Sequence, residues 1–338
     1  MGTRSNAPWP NGAWRKELAD VVTDVEELLQ LLDFGDRPQI ATPAAQCGFP
    51  LRVTRAFIHR MHPGDPNDPL LRQVLPVVKE DETVEGFSID PVGEISLPPV
   101  DSVLHKYRGR ALVMVTGACA VHCRYCFRRH FPYAELGSAP PDWDSAIDRI
   151  ASDPTISEVI LSGGDPLTVP ESRLEVLGRK LAALPQLKRL RLHTRMPVVL
   201  PQRVDGALTS WIGGLGLQTV VVVHANHANE IDDDVRRALA ALAATGVTLL
   251  NQAVLLAGVN DSVEALADLS EALFDAGVLP YYLHQLDPVA GAAHFEVSDA
   301  EAKRLHAEVA ARLPGYLVPR LVREVPGAPA KIGVDLWR

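Results

Sequence analysis

The sequence predicts an α/β protein built on a partial (β/α)6 barrel, and three observations predict it. Short apolar, β-branched runs recur at 111–116, 157–162, 187–194, 218–224, 246–253 and 279–285. Helical patterns lie between them, and after a longer first unit the runs repeat about every 30 residues, the period of βαβ units in a parallel sheet. Nearly every run ends in polar, charged or Gly-rich residues: "GACAVHC", "GGDPL", "RMP", "HANHANE", "NQAVLL" and "HQLDP". Chemistry sits at those C-terminal strand ends in such an architecture. Six strands point to an open barrel rather than a closed eight-stranded one.

Taken in order, residues 1–104 read as an N-terminal helical cap and linker. "ELADVVTDVEELLQLL" (17–32) has an amphipathic helical pattern. "DPNDPLLRQVLP" and "IDPVGEISLPPVDSV" are rich in Pro and Asp and read as turns and extended linker. Residues 105–297 carry the barrel. Within them, 261–277 places Val263, Leu266, Leu269, Leu273 and Phe274 on one helical face, capped by Asp261 or Ser262 and stopped by Gly277. Residues 298–338 hold a last helix, opened by a Ser298/Glu301 capping box, and a Pro- and Gly-interrupted tail.

The bulk composition narrows the function classes. Of 338 residues 47% are hydrophobic and 22% charged, the balance of a soluble globular chain with material for a large core. A net charge of −9 argues against broad nucleic-acid binding. No apolar run approaches the roughly 20 residues that span a bilayer. The N-terminus lacks the apolar core of a signal peptide, so a cytoplasmic location is expected. The 4 cysteines do not make a disulfide framework.

Cys119, Cys123 and Cys126 fall within eight residues, spaced Cys-x3-Cys-x2-Cys, directly after the first barrel strand. Structural zinc sites ask for four ligands, often as two Cys-x2-Cys pairs. Cys47 lies far upstream, and a Cys3His zinc site would need His122 or His130. Three thiolates also suit a [4Fe–4S] cluster with one iron left open for a small molecule. Residues 105–130 hold Lys106, Arg108, Arg110, Arg124, Arg128 and Arg129 and no acid. A run of charges is commonly a solvated face. These arginines flank the strand and the cysteine loop, where guanidinium groups clasp carboxylates and phosphates.

The cysteine loop, "SGGDPL" (162–167) after the second strand and the barrel pattern together resemble the radical S-adenosylmethionine (SAM) superfamily. With "HANHANE", "LNQAVLL", "PYYLHQLD" and a lone tail lysine, Lys331, the chain resembles the lysine 2,3-aminomutase family from about residue 100 onward. "LADVVTDVEELLQLL", "DPNDPLLRQVLP", "LHKYRGRAL" and "ALFDAGVLPYYLHQLDPVAGAAHF" extend the resemblance over nearly the whole chain, to the branch that makes (R)-β-lysine for modifying elongation factor P.

The resemblance implies three cofactors: a [4Fe–4S] cluster on Cys119, Cys123 and Cys126; SAM, near Gly163, Gly164, His224 and Gln252; and pyridoxal 5′-phosphate (PLP), as a Schiff base on Lys331 with its phosphate on Arg110. It implies Arg128 for the substrate α-carboxylate and Asp287 and Glu324 for the substrate ε-ammonium. The implied reaction moves the amino group of L-lysine from Cα to Cβ. Implied partners are a flavodoxin- or ferredoxin-type electron donor, elongation factor P with its β-lysine ligase, and further copies of the chain. Each residue also has a plainer reading. His224 and His227 would be capping or packing histidines, Asp287 before Pro288 a turn starter, Glu324 a surface partner of Arg323, and Lys331 an exposed terminal lysine. The functional alternatives are an aminomutase of free lysine or another amino acid, and a non-catalytic metal-binding module.

The chain departs from the family pattern in three places. "PGAPAK" has one Gly where the family often has several before the lysine. No cysteine follows Cys126, so the zinc-binding cysteines of the longer free-lysine enzymes have no counterpart. Glu324 stands where those enzymes have an Asp.

Overall fold

The computed structural model describes residues 9–34, 48–95, 102–133 and 143–333. Cys47 lies outside the described residues. The chain opens with four short helices: α1 (Trp14–Ala19), α2 (Val25–Leu31), α3 (Arg55–Ile58) and α4 (Pro69–Arg72). The single helix expected over 17–32 is therefore two. The β-branched run Val21-Val22-Thr23 disfavours helix, and Val22 instead pairs antiparallel with Val53. Asp24 then restarts the helix by accepting from Glu26 N at 2.7 Å. These helices are tied to the barrel by buried polar contacts. Trp14 Nε1 donates to Glu171 at 3.1 Å, and Arg60 Nη2 to the Val198 carbonyl at 2.6 Å. Arg52 Nε reaches the Cys119 carbonyl at 2.8 Å, so the N-terminal segment also steadies the cysteine loop.

One nine-stranded sheet follows, in the order β1 to β9. β1 (Val103–Tyr107) is antiparallel to β2 (Arg110–Thr116). Then come α5 (Asp144–Ser152), β3 (Glu158–Gly163), α6 (Glu171–Ala182), β4 (Arg189–Thr194), α7 (Met196–Val199), α8 (Gly206–Gly213), β5 (Gln218–Val223), α9 (Asp233–Ala243), β6 (Thr248–Val254), α10 (Val263–Asp275), β7 (Leu279–His284), α11 (Asp299–Arg312), β8 (Arg320–Arg323) and β9 (Ile332–Gly333). β2 to β8 run parallel, and β9 turns back antiparallel on β8. The six expected strands are β2 to β7. The tail adds a seventh parallel strand, β8, which its four residues and flanking prolines hide from periodicity.

Strand residues alternate between two environments. Ala111, Val113, Val115, Val159, Leu161, Leu190, Leu192, Val221, Val223, Leu249, Ala253, Leu283 and Leu321 join the main core with the helices. The intervening residues face the barrel lumen: Arg110 and Met114 on β2, Ser162 on β3, Arg191 and His193 on β4, Val222 on β5, Gln252 on β6, Tyr282 and His284 on β7. His224 and Glu324 continue the lumen-facing parity just past β5 and β8. Tyr107 OH donates to Glu324 Oε1 at 3.0 Å, although the two come from opposite ends of the strand order. The sheet therefore curls until its ends approach. Among the described residues no strand pairing joins β9 to β1, so the barrel is open.

Helix ends follow their caps. Ser262, not Asp261, caps α10 by accepting from Ala265 N at 3.1 Å, and Gly277 ends the turn at φ +76°. Phe274, expected on the buried face, is 42% exposed and lies against Tyr316. Ser298 caps α11, while Glu301 pairs with Arg304 instead of completing the box. Among the described residues no helix is long and apolar enough to cross a membrane.

Candidate active site

The cysteine loop leaves the C-terminal end of β2. Its turn is set by backbone bonds: Cys126 N donates to the Cys123 carbonyl at 3.0 Å, and Arg129 N to the Cys126 carbonyl at 3.1 Å. All three thiols are free and partly exposed. Burial pushes Cys119 well up and Cys126 to about 11, and the neighbouring thiols push in the same direction. Three cysteines on one short loop offer an all-thiol donor set, and iron that binds such ligands deprotonates them. His122 and His130 point elsewhere, their ring nitrogens at 2.8 Å from the Pro50 carbonyl and 3.0 Å from the Ala290 carbonyl. Among the described residues no three His, Cys, Asp or Glu side chains, the three cysteines included, already stand as a metal-holding group. With both histidines turned to backbone carbonyls, the Cys3His zinc alternative lacks its fourth ligand.

Gly163 and Gly164 follow from the packing of this loop. A Cβ on Gly164 would stand 2.3 Å from the Ala118 carbonyl oxygen, and one on Gly163 2.4 Å from that of Thr116. Gly163 also has φ +119°. Gly164 N donates to the Thr116 carbonyl at 2.7 Å and Asp165 N to that of Ala118 at 2.8 Å. The two glycines let the β3 end lie directly on the cysteine loop.

Of the three loop arginines, two are structural. Arg124 is fully buried on Glu80, and Arg129 Nη2 meets the same carboxylate at 2.7 Å. Arg128 turns to the lumen. Glu94 accepts from its Nε at 2.7 Å and its Nη2 at 3.1 Å, and Nη1 lies 3.1 Å from Ser162 Oγ and 3.3 Å from the Gly163 carbonyl. Glu94 belongs to the segment that reads as linker in the sequence, so no motif marks it.

Behind the loop is a buried polar network. Arg195, just after β4, donates from Nη1 to Cys123 Sγ at 2.7 Å and from Nη2 to Gln73 Oε1 at 2.7 Å and Glu230 Oε2 at 2.9 Å. Asn226 Nδ2 donates to Tyr125 OH at 2.7 Å, and Tyr125 OH lies 3.3 Å from His224 Nε2. Burial and the Arg195 charge hold His224 down to about 4, so its ring is neutral at ordinary pH. His227 is the capping residue, accepting from Asn229 N at 3.2 Å.

The second cluster of side chains stands where the sheet's ends approach. Lys331 Nζ lies 3.1 Å from Glu324 Oε2 and 3.3 Å from His284 Nε2, over the Tyr282 ring. Its side chain is 23% exposed, and that of Glu324 16%. Arg323 pairs with Asp299 instead of Glu324. Arg110 stacks over Tyr107 at 5.1 Å, whose hydroxyl holds Glu324. Between the two clusters lies His193. Burial, reinforced by Arg191, Lys331 and Arg128, holds its imidazole well below the usual value, and among the described residues its buried Nε2 has no hydrogen-bond partner. Gln252 faces the lumen opposite Tyr282 in register. Asp287 lies just beyond β7, its carbonyl accepting from Val289 N at 2.7 Å.

The structure thus gathers Lys331, Glu324, Tyr107 and Arg110 at one side of the lumen and the cysteines, His224 and Arg128 at the other. An all-sulfur donor set suits iron–sulfur chemistry rather than a hard cation. A lysine beside aromatic rings, guanidinium groups and an unsatisfied imidazole nitrogen suits an aromatic aldehyde carrying a phosphate. Sequence reasoning missed Glu94, His193, Arg195 and His284. The last three stand in or beside the strand ends quoted above, and strand parity was the signal that marks His193 and His284.

Residues 113–270 match the model of the Radical SAM superfamily. An L-lysine 2,3-aminomutase of Escherichia coli (strain K12) is 51% identical over 96% of this chain and 94% of its own length. One from Haemophilus influenzae is 46% identical over 94% of each chain. One from Clostridium subterminale is 35% identical over 98% of this chain and 79% of its own. A radical SAM match over the barrel, joined to near full-length likeness to these relatives, means that the chain belongs to the L-lysine 2,3-aminomutase family, a family of radical SAM isomerases.

Proposed function

We propose that the protein converts L-α-lysine to β-lysine. The observation that carries this reading is the 51% identity, over almost the whole of both chains, to a relative named for that activity. When bound, the cluster with SAM supplies a carbon-centred radical, and PLP supplies the π-system across which the amino group migrates. The chain's own residues supply placement, charge matching and exclusion of water.

In this reading Lys331 carries the PLP, and Arg110 takes its phosphate. Gly163, Gly164, His224 and Gln252 border the SAM site. Arg128, positioned by Glu94, Ser162 and the Gly163 carbonyl, takes the substrate carboxylate. Glu324 and Asp287 take the substrate ε-ammonium. Glu324 already receives an alkylammonium, that of Lys331, at 3.1 Å, which supports a cation there. Met114, Ile160 and Val222, buried on the lumen face, keep water from a radical. A cytoplasmic enzyme reduced by a flavodoxin- or ferredoxin-type protein, supplying β-lysine for elongation factor P, is the finer proposal, supported by the likeness of the N-terminal segment. The alternative is an aminomutase that feeds amino-acid metabolism.

Borohydride treatment of the PLP-loaded protein tests the assignment. The expected result is a pyridoxyl group on the Lys331 peptide, diminished when excess L-lysine is present. A pyridoxyl group on a different lysine, or none, contradicts it.

A further inference from the structure

Arg195 is held from several sides, although among the described residues its buried Nε has no hydrogen-bond partner. Its guanidinium lies over the rings of Phe57 at 5.1 Å and Tyr125 at 5.9 Å. Nη2 is fixed by Gln73 and Glu230, and the backbone N by Asp165 Oδ2 at 2.7 Å. Glu230 is fully buried and itself held by Asn226 N at 2.8 Å, His227 N at 3.1 Å and Gln73 Nε2 at 3.2 Å. The remaining terminal nitrogen, Nη1, donates to Cys123 Sγ at 2.7 Å. A structural ion pair would be complete with Glu230 alone. Here the cation is held so that one N–H meets a cysteine sulfur.

We propose that Arg195 is a positioning residue that sets the reduction potential of the [4Fe–4S] cluster through its hydrogen bond to Cys123. This rests on the radical SAM reading of the three cysteines. The step concerned is a one-electron reduction of the cluster from the 2+ to the 1+ state. The electron comes from an external low-potential carrier, and no proton need move, because a guanidinium stays charged. Reduction adds negative charge to the cluster and its thiolates, so a cationic donor favours the reduced state. The guanidinium is buried against two aromatic rings, which limits screening of its charge by water. Glu230 opposes it: its carboxylate fixes the guanidinium and offsets part of the positive field.

The two charges therefore predict shifts of opposite sign. A hydrogen bond from a charged donor is worth about a tenfold change in an equilibrium constant, or about 59 mV for a one-electron couple. The test is a redox titration of the anaerobically reconstituted full-length protein, followed by EPR of the reduced cluster, with iron and sulfide measured for each preparation. Glu230→Gln leaves Arg195 with less compensation, and its midpoint is expected to become less negative than wild type. Arg195→Met in the Glu230→Gln background removes both charges and strands neither, and its midpoint is expected about 59 mV or more below that of Glu230→Gln alone. Loaded variants that share the wild-type midpoint, or shift in the same direction by the same amount, would overturn the inference. If the double variant takes up no iron, Glu230→Gln alone decides it. A wild-type chain that holds no cluster would sink the radical SAM reading itself, a result distinct from an intact cluster with an unmoved potential.

Discussion

Lys331 is one side chain in a tail without helix, yet it is held by Glu324, His284 and the face of Tyr282. Replacing it should remove covalent PLP without disturbing the cysteine loop, which belongs to β2. Lys331→Ala is expected to lose turnover and borohydride labelling while keeping wild-type iron content. Glu94 works at the same scale. Its carboxylate fixes the Arg128 fork with two bonds, each side chain being less than a tenth exposed. Glu94→Gln should raise the KM for lysine about tenfold, the worth of one lost charge-assisted bond, with a smaller change in kcat; steady-state kinetics check this. The three cysteines and Lys331 stood out as candidates because rare residue types stood in telling places. Glu94 was not, because its partner lies 34 residues away and its own segment has no period.

At the scale of elements, the β3 end and the cysteine loop are one unit, fitted through Gly163 and Gly164. Gly164→Ala drives a methyl group to 2.3 Å from a backbone oxygen, so the loop must move. Iron uptake should fall sharply while far-UV circular dichroism stays close to wild type, since the strands beneath keep their pairing. Ser262→Ala removes the α10 cap, which lies away from the lumen. It should cost about 1 kcal/mol and lower Tm by about 2 °C with turnover unchanged. Strands β2 to β7 could be read from apolar runs at a regular period. The split of 17–32 into two helices could also have been read, from Val21-Val22-Thr23 and the capping Asp24, had propensity been weighed against amphipathicity. β8 could not: four residues between prolines carry no period, and their strand state comes from pairing with β7.

For the molecule as a whole, an open barrel brings its two ends close enough for Tyr107 to hold Glu324, so the N-terminal strand and the tail close on one lumen. That lumen carries neutral histidines, and they make stability depend on pH. His284 is buried and held well below its usual pKa by burial and by Lys331; His193 and His224 are lowered too. The unfolded chain takes up these protons near pH 6.5, whereas folded His224 refuses its proton until about pH 4. The unfolded state therefore binds more protons across that window, and stability falls as pH drops below about 6.5. Melts of the chain between pH 7 and pH 5 should show Tm falling, and His284→Gln should flatten the fall. The fold and the cofactor set were legible because motif order along the chain mirrors strand order around the lumen; the Glu94, His193 and Arg195 contacts arise only when distant strands are packed. The most direct measurement is product analysis after anaerobic incubation of the reconstituted protein with isotopically labelled L-lysine, SAM and a reductant. The account predicts labelled β-lysine with the carbon skeleton intact. Unchanged lysine from a protein with full cluster and PLP, or conversion of a different amino acid in its place, would contradict it.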